Sequence, residues 1–497
     1  RDQPRSRGLG DVYKRQILIL GWVFVPFYTR SMVYTMPEFL ERRYNPQSRT
    51  ILSVISLVSY VLTKVAVTVY AGGLVFQQVF GIKELWGIDF FWIAAIGLVV
   101  LTALYTIFGG MKSVLYTSVL QTPILLLGSL IILVLGFKEL GGWDEMMRVC
   151  GAVTVNDYGD TMTNLIRSND DANFPWLGAL IGSAIIGFWY WCTDQFIVQR
   201  VLSGKNEMEA RRGTIFGAYL KLLPVFLFLI PGMIAFALHQ KYIGAGGEGF
   251  LPMLANGTAN ADAAFPTLVA KLLPAGVKGL VVCGILAALM SSLASLFNSS
   301  AMLFTIDFYK RFRPETPEKK LVGIGQVATV VIVILGILWI PIMRSVGDVL
   351  YTYLQDVQSV LAPGIAAAFL LGICWKRTSA QGGMWGLIAG MVIGLTRLGA
   401  KVYYSNAGEV ADSTFKYLFY DMNWLFFCGW MFLFCIIVVI VVSLATKAPT
   451  AEKIQGLVFG TATKEQKAAT RASWNHWDII HTVIILAITG AFYWYFW

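Results

Sequence analysis

The chain has 497 residues, 57% hydrophobic and only 14% charged, which leaves too few polar side chains to coat a water-soluble globule. A soluble enzyme is excluded, and the net charge of +10 has to be read loop by loop across a bilayer rather than as a nucleic-acid footprint. Six cysteines without a CxxC pair, and the scattered His239, His476 and His481, suggest neither a disulfide framework nor a metal site; the histidines fall near segment ends, where an interfacial role is expected.

Residues 1–16, RDQPRSRGLGDVYKRQ, are polar and basic, and the apolar stub at 17–28 is too short to cross a bilayer, which takes about 20 residues. This leader reads as a non-native junction, so the native protein is expected to extend further at its N-terminus. Full apolar segments follow at 50–80, 88–108, 113–136, 176–200, 213–238, 277–308, 319–343, 347–374, 379–400, 423–445 and 476–497. The fold class is therefore an all-α polytopic membrane protein with eleven full transmembrane helices and one partial.

Loops 29–50, 200–213, 307–320, 375–382 and 446–475 carry 20 Lys and Arg, twice the 10 of the alternate set, and loop 137–175 adds seven acids including Asp170 and Asp171. The positive-inside rule puts the first set in the cytoplasm and the C-terminus outside, with Trp494, Tyr495 and Trp497 at the interface. Gly382, Gly386, Gly390 and Gly394 make a smooth strip on one helix face, read as a packing surface.

Polar groups inside spans are the functional candidates. In ALMSSLASLFNSS, Ser291, Ser295 and Asn298 share one helix face, with Ser292 beside them and Ser299 one turn below Ser295. Back-bonding of the hydroxyls is one reading. The other is a half-site for a hard monovalent cation, built from the Ser291 and Ser292 hydroxyls with a freed carbonyl of Ala288.

Lys221, ahead of Pro224, and Lys64, in LVSYVLTKVAVTVY, both lie deep in apolar segments, with Asp194 and Asp356 as candidate partners and no basis for pairing them. Gly187, Trp189, Tyr190, Trp191, Thr193, Asp194 and Gln195 give a flexible point, an aromatic shelf and polar groups. Tyr351, Tyr353, Gln355 and Gln358 precede Pro363–Gly364, which should interrupt the helix. Aromatic faces beside amide and ammonium donors suit a sugar, which offers C–H faces and hydroxyl edges.

Seven runs in order, YTMPEFLERRY (34–44), YTIFGGMKSVLYT (105–117), WYWCTDQFIVQR (189–200), YLKLLPVFLFLIPGM (219–233), NADAAFPTLVAKLLPAGVKGL (260–280), SSLASLFNSSAMLFTIDFYKR (291–311) and FLLGICWKRTSAQGGMWGL (369–387), resemble the sodium/solute symporter family, and within it the sodium/glucose cotransporters. The resemblance implies a LeuT-type inverted-repeat transporter working by alternating access. Residues 17–136 would be the remainder of the first repeat, 176–374 the second half of the core with the sodium and sugar sites, and 375–497 peripheral helices.

Carried onto this chain, the resemblance makes Ala288, Ser291 and Ser292 half of a sodium site. Lys221, Gln355 and Trp191 become sugar contacts, Tyr190 an inner gate, and Lys64 a further substrate-binding residue that, like Asp194, matches the glucose carriers. Gly187 and Lys64 depart from the bacterial galactose carrier. Ser118 stands where the family has an acid, and Ala294 where members with a second sodium site have a hydroxyl, which implies one sodium per sugar. The first core helix and most of the next would precede residue 17. Sodium is the coupling ion and no cofactor is expected; the partners are sodium, a sugar and the lipid of a plasma or inner membrane. The rival readings are symport of inositol, a sugar acid or sialic acid, and a non-transporting sugar sensor or channel.

Overall fold

The computed structural model describes residues 15–495 apart from Tyr34, Tyr158, Leu165, 255–256, 347–349 and 408–410; the side chains of Tyr105, 107–115, Thr117, Ser118, Leu120 and 344–346 are also outside the description. Most of the leader, Ser118 and Trp497 therefore lie outside the described residues. Ten described helices are long and apolar enough to span a bilayer, or eleven if one pair bent by 73° counts as a single span.

That pair is α1, Arg15–Ser31, and α2, Met36–Arg43. Met32 in the left-handed region ends α1, and the Thr35 hydroxyl caps α2 by accepting from Glu38 N. Asn45 caps α3, Pro46–Phe80, which contains a π-helical segment at Tyr60–Val65. A two-residue hairpin, β1 Glu84–Leu85 with β2 Ile88–Asp89, leads to α4, Phe90–Leu140. The expected spans 88–108 and 113–136 thus fall within one helical run; its described apolar parts are Phe90–Leu104, shorter than a span, and Gln121–Leu140.

After α5, Trp143–Gly151, come α6, Trp176–Thr193, and α7, Gln195–Leu202, separated by Asp194 in an extended conformation. Next are α8, Glu207–Gly244, α9, Ala264–Leu272, and α10, Ala275–Phe312. Then follow α11, Glu318–Val346, α12, Leu350–Cys374, α13, Ala380–Asn406, α14, Trp424–Ala445, α15, Lys464–Ala472, and α16, His476–Tyr495.

Helix α12 is the centre of the fold, 83% of its apolar window being buried against α13, α14 and α6. Contrary to expectation, Pro363 does not interrupt it. In an apolar interior a helix keeps as many backbone hydrogen bonds as it can, and neighbouring helices hold the proline turn in place. The following Gly364 lets α13 approach so closely that a Cβ on Gly390 would lie 2.6 Å from the Gly364 Cα. The strip read as a packing surface is one: Gly382 and Gly386 face Val439 of α14, while Gly390 and Gly394 face α12. Val483, Ile484 and Leu486 on α16 and Ile334, Leu335 and Leu338 on α11 are exposed, as lipid-facing residues are.

The five basic loops meet at one end of the bundle. Arg49 pairs with Asp307, Arg30 bonds Thr470, Lys453 Nζ donates to the Glu41 carbonyl, Arg211 to Ser473, and Arg377 to the Thr446 carbonyl. His239 departs from its expected interfacial role: it is buried, and its Nδ1 accepts from Leu251 N to anchor the following loop. All six cysteines are free.

Candidate functional site

The site forms where three spans lose regular α-helical geometry, a pattern that often marks function. Lys64 lies in the Tyr60–Val65 π segment of α3; Tyr190 and Trp191 lie in the π turn Trp189–Thr193 that ends α6; Lys221 lies where α8 breaks ahead of Pro224. Pro224 lacks an N–H, which explains the break one turn before it.

Lys64, left without a partner by the sequence, pairs with Asp194. The carboxylate also accepts from the Tyr60 hydroxyl at 3.0 Å and from Phe196 N at 3.1 Å. The ammonium sits 4.3 Å from the centre of the Phe196 ring, 4.6 Å from Tyr60 and 5.2 Å from Tyr190. Lys64 is 9% exposed and Asp194 4%, so the pair is sealed and electrically closed. Burying two charges this deeply is tolerable because each neutralises the other, both carboxylate oxygens accept hydrogen bonds and the ammonium is ringed by aromatic faces. Tyr60 was missed by sequence reading; it lies one turn before Lys64, on the same helix face, which is the signal that was available.

Tyr190 and Trp191 are half-buried and their rings meet edge to face at 5.3 Å. Lys221 lies 5.6 Å from the centre of the Trp191 ring. Trp191 Nε1 is buried and, among the described residues, has no hydrogen-bond partner, so it is a donor that a bound hydroxyl would satisfy. Helix α12 packs against the Trp189–Thr193 turn; on it Gln355 is 3% exposed and its Nε2 donates to the Tyr351 hydroxyl at 2.8 Å. Tyr353 fastens α12 to the π segment, donating to the Leu62 carbonyl and accepting from Trp339 Nε1. Asp356, the other candidate anion, turns away and pairs with Lys401 of α13.

On α10, Ser295 and Ser299 donate to the carbonyls four residues back, at 2.9 and 2.8 Å, so for these two the back-bonding reading holds. Ser291 is buried, Ser292 exposed and Ala288 half-exposed. The helix runs unbroken from Ala275 to Met302, so the Ala288 carbonyl is not freed; it stays in the ladder and offers only its second lone pair. Sequence reading missed that Gln199 and Arg200 of α7 reach across to this face, Gln199 to Ser299 and Arg200 to Ser295. The serine face and the aromatic shelf are thereby joined through one short helix.

A cavity of about 1220 Å³ opens between α1, α7, α10 and α11, lined by Gln199, Phe297, Asn298 and Met302 within and by Lys205 and Lys310 toward the basic end. No group of His, Cys, Asp or Glu among the described residues is arranged to hold a metal.

Residues 14–390 match the model of the sodium:solute symporter family. Among curated relatives, the sodium/mannose cotransporter SLC5A10 of Bos taurus is 36% identical over 97% of this chain and 83% of its own length. The sodium/glucose cotransporter 1 of Ovis aries is 38% identical over 87% and 66%, and the human sodium/myo-inositol cotransporter 2 is 35% identical over 90% and 67%. A substrate-bound, outward-open Na+-coupled sialic acid symporter superposes on 90% of this chain and 86% of its own with a TM-score of 0.67, at 20% identity, which carries the LeuT-type fold. The chain belongs to the sodium:solute symporter family.

Proposed function

We propose that this transporter couples the inward movement of sodium to uptake of a neutral sugar or polyol of hexose size, one sodium per substrate, by alternating access. The observation that carries the reading is the closed Lys64–Asp194 pair. Lys64 and Lys221 together would have suited an anionic solute, but Lys64 is neutralised on the spot, which disfavours a sugar acid or sialic acid. What faces a substrate is then the Trp191 indole with its unsatisfied N–H, the Tyr190 ring, the Gln355 amide and the Lys221 ammonium. Stacking faces flanked by hydrogen-bonding groups match the C–H faces and hydroxyls of a pyranose or cyclitol. The mannose, glucose and myo-inositol names of the relatives point the same way.

In this reading Ser291 and Ser292 with the Ala288 carbonyl supply part of the sodium site. Sodium there favours the state that receives sugar, through the Ser295–Arg200 and Ser299–Gln199 links to α7, the short helix that follows the aromatic shelf. Tyr190 then moves aside for inward release. The membrane potential drives the cycle at about 2.3 kcal/mol per charge per 100 mV. The reading of one sodium is supported by Ala294, apolar and fully buried, where a second site would need a hydroxyl. The membrane is the plasma or inner membrane, with the basic end cytoplasmic and the C-terminus outside.

The test is uptake of labelled glucose, mannose, myo-inositol and sialic acid into proteoliposomes with and without an inward sodium gradient. Gradient-driven accumulation of a neutral substrate is expected, with Ser292→Ala abolishing sodium stimulation and Gln355→Ala weakening sugar more than sodium affinity. Accumulation of sialic acid alone, or sugar-evoked current without accumulation, would refute the reading.

A further inference from the structure

Beside the substrate-facing Gln355, α12 carries a charge cluster that the transport reading does not use. Asp356 is 8% exposed, and its Oδ2 accepts from Lys401 Nζ of α13. The second cation, Arg397, is fully buried, yet it does not hydrogen-bond the carboxylate. Its Nη2 stands 3.8 Å from Asp356 Oδ1 while donating to the Met422 carbonyl at 2.7 Å; Nη1 donates to the Leu418 carbonyl, and the guanidinium lies 4.0 Å from the Phe427 ring centre. Asp356 Oδ1 and Arg397 Nε are left without hydrogen-bond partners. Arg397 is therefore committed to the 418–422 turn, and Lys401 is the cation that holds Asp356.

The two helices meet backbone to backbone lower down. Gly394 packs against the Val360 carbonyl and Gly390 against Gly364. Above that crossing α13 carries the Lys401 ammonium, 20% exposed and reaching inward over the helix face. Asp356 lies about 12 Å along the helix from Gly364, so a tilt of about 10° at the crossing moves it by about 2 Å, enough to part a hydrogen-bonded ion pair. Gln355 is the adjacent residue on the same turn and shares any such movement.

We infer that Lys401 is a positioning residue: through Asp356 it pins the outer half of α12 to α13 and so fixes where Gln355 stands in the substrate site. The part concerning substrate rests on the transport reading above; the pinning itself does not. An asymmetry follows from Arg397. Lys401→Arg keeps a cation on Asp356 and preserves the arrangement. Exchanging the charges, Asp356→Lys with Lys401→Asp, does not restore it, because the new ammonium would face Arg397.

The experiment has two arms. In the first, spin labels at Thr352→Cys and Tyr403→Cys, in a background where the exposed Cys283 and Cys374 are serine, report the distance between the outer parts of α12 and α13 in detergent and in liposomes. A single narrow distribution is expected for the parent chain and for Lys401→Arg, and a broadened or displaced one for Lys401→Gln, Asp356→Asn and the charge exchange. An unchanged distribution in Lys401→Gln overturns the inference whatever the protein transports. In the second arm, Lys401→Gln raises the half-saturating sugar concentration about fivefold or more while the amount of folded protein is unchanged, and Lys401→Arg does not. If the parent chain moves no sugar, the transport reading fails while the first arm still decides the pinning. If the distance shifts but half-saturation does not, the link to Gln355 is refuted.

Discussion

Replacing Lys64 by Met tests the centre of the site. The substitution keeps length and apolar volume but removes the charge from a carboxylate that is 4% exposed. Asp194 would retain the Tyr60 hydroxyl and Phe196 N, two neutral donors, in place of an ammonium in direct contact. Breaking a buried pair from one side costs about 3–5 kcal/mol because the remaining charge is stranded. Asp194→Asn alone strands Lys64 among the Tyr60, Tyr190 and Phe196 rings and carries a similar cost. The double variant Lys64→Met, Asp194→Asn strands neither charge, and the amide that replaces the carboxylate can still accept from Phe196 N; it should recover at least half of the single-variant loss. Thermal unfolding in a fixed detergent, with all four proteins at the same pH and salt, measures the cycle. Additive losses in the double variant would mean that the two side chains do not form a unit, and the electrostatic argument for a neutral substrate would go with them.

Three further outcomes follow from other parts of the bundle. Asp307 is fully buried, 2.6 Å from Arg49 and 3.0 Å from the Thr35 hydroxyl, so Asp307→Asn should cost about 3 kcal/mol in thermal unfolding, and Asp307→Asn with Arg49→Met should cost less. In the loop before α9, Asp262 accepts from Leu350 N at 3.1 Å and burial pushes its carboxyl from 3.8 to about 6. Between those values the folded protein holds a proton that the unfolded chain has released. The stability from Asp262, about 3 kcal/mol or less, is therefore complete below pH 3.8 and lost as pH rises through 6. Asp262→Asn should remove that slope from a pH series of unfolding temperatures. Gly394→Val should separate α12 from α13, because even a Cβ at that position collides with the Val360 carbonyl; a loss of folded protein on size-exclusion chromatography is expected, and an unaffected elution profile would contradict the close crossing.

Long apolar runs made most spans legible, because in lipid a helix must satisfy its own backbone and so its length is written in hydropathy. The same logic made Pro363–Gly364 misleading. Proline does interrupt helices in water, but inside a packed bundle Leu350–Cys374 stays one helix and uses the glycine for contact with Gly390. The aromatic shelf, Asp194 and the serine face were legible as residue types at helical spacing. Their partners were not: Lys64 reaches Asp194 from a different helix, 130 residues away in the chain, and Arg200 reaches Ser295 across 95. Periodicity describes one element at a time and is silent on which faces meet. His239 shows the same limit, since a histidine near a helix end reads as interfacial until the loop that folds over it is seen.

The broken helix and the buried ion pair are one device. Where α6 stops at Thr193 and α7 starts at Gln195, the first amides of α7 have no carbonyl ahead of them, and inside a membrane no water is at hand to take their place. Asp194 fills that role by accepting from Phe196 N, but a lone carboxylate at that depth is more costly than the amide it satisfies. Lys64, within the π segment Tyr60–Val65 of α3, offsets the charge. The break in α6 is what presents Tyr190 and Trp191 at the end of a helix instead of along its side. Their orientation therefore depends on Asp194, and Asp194 depends on a lysine and a tyrosine of another helix. A substitution at Lys64 or Tyr60 should thus be felt at the aromatic shelf even if neither side chain touches a substrate.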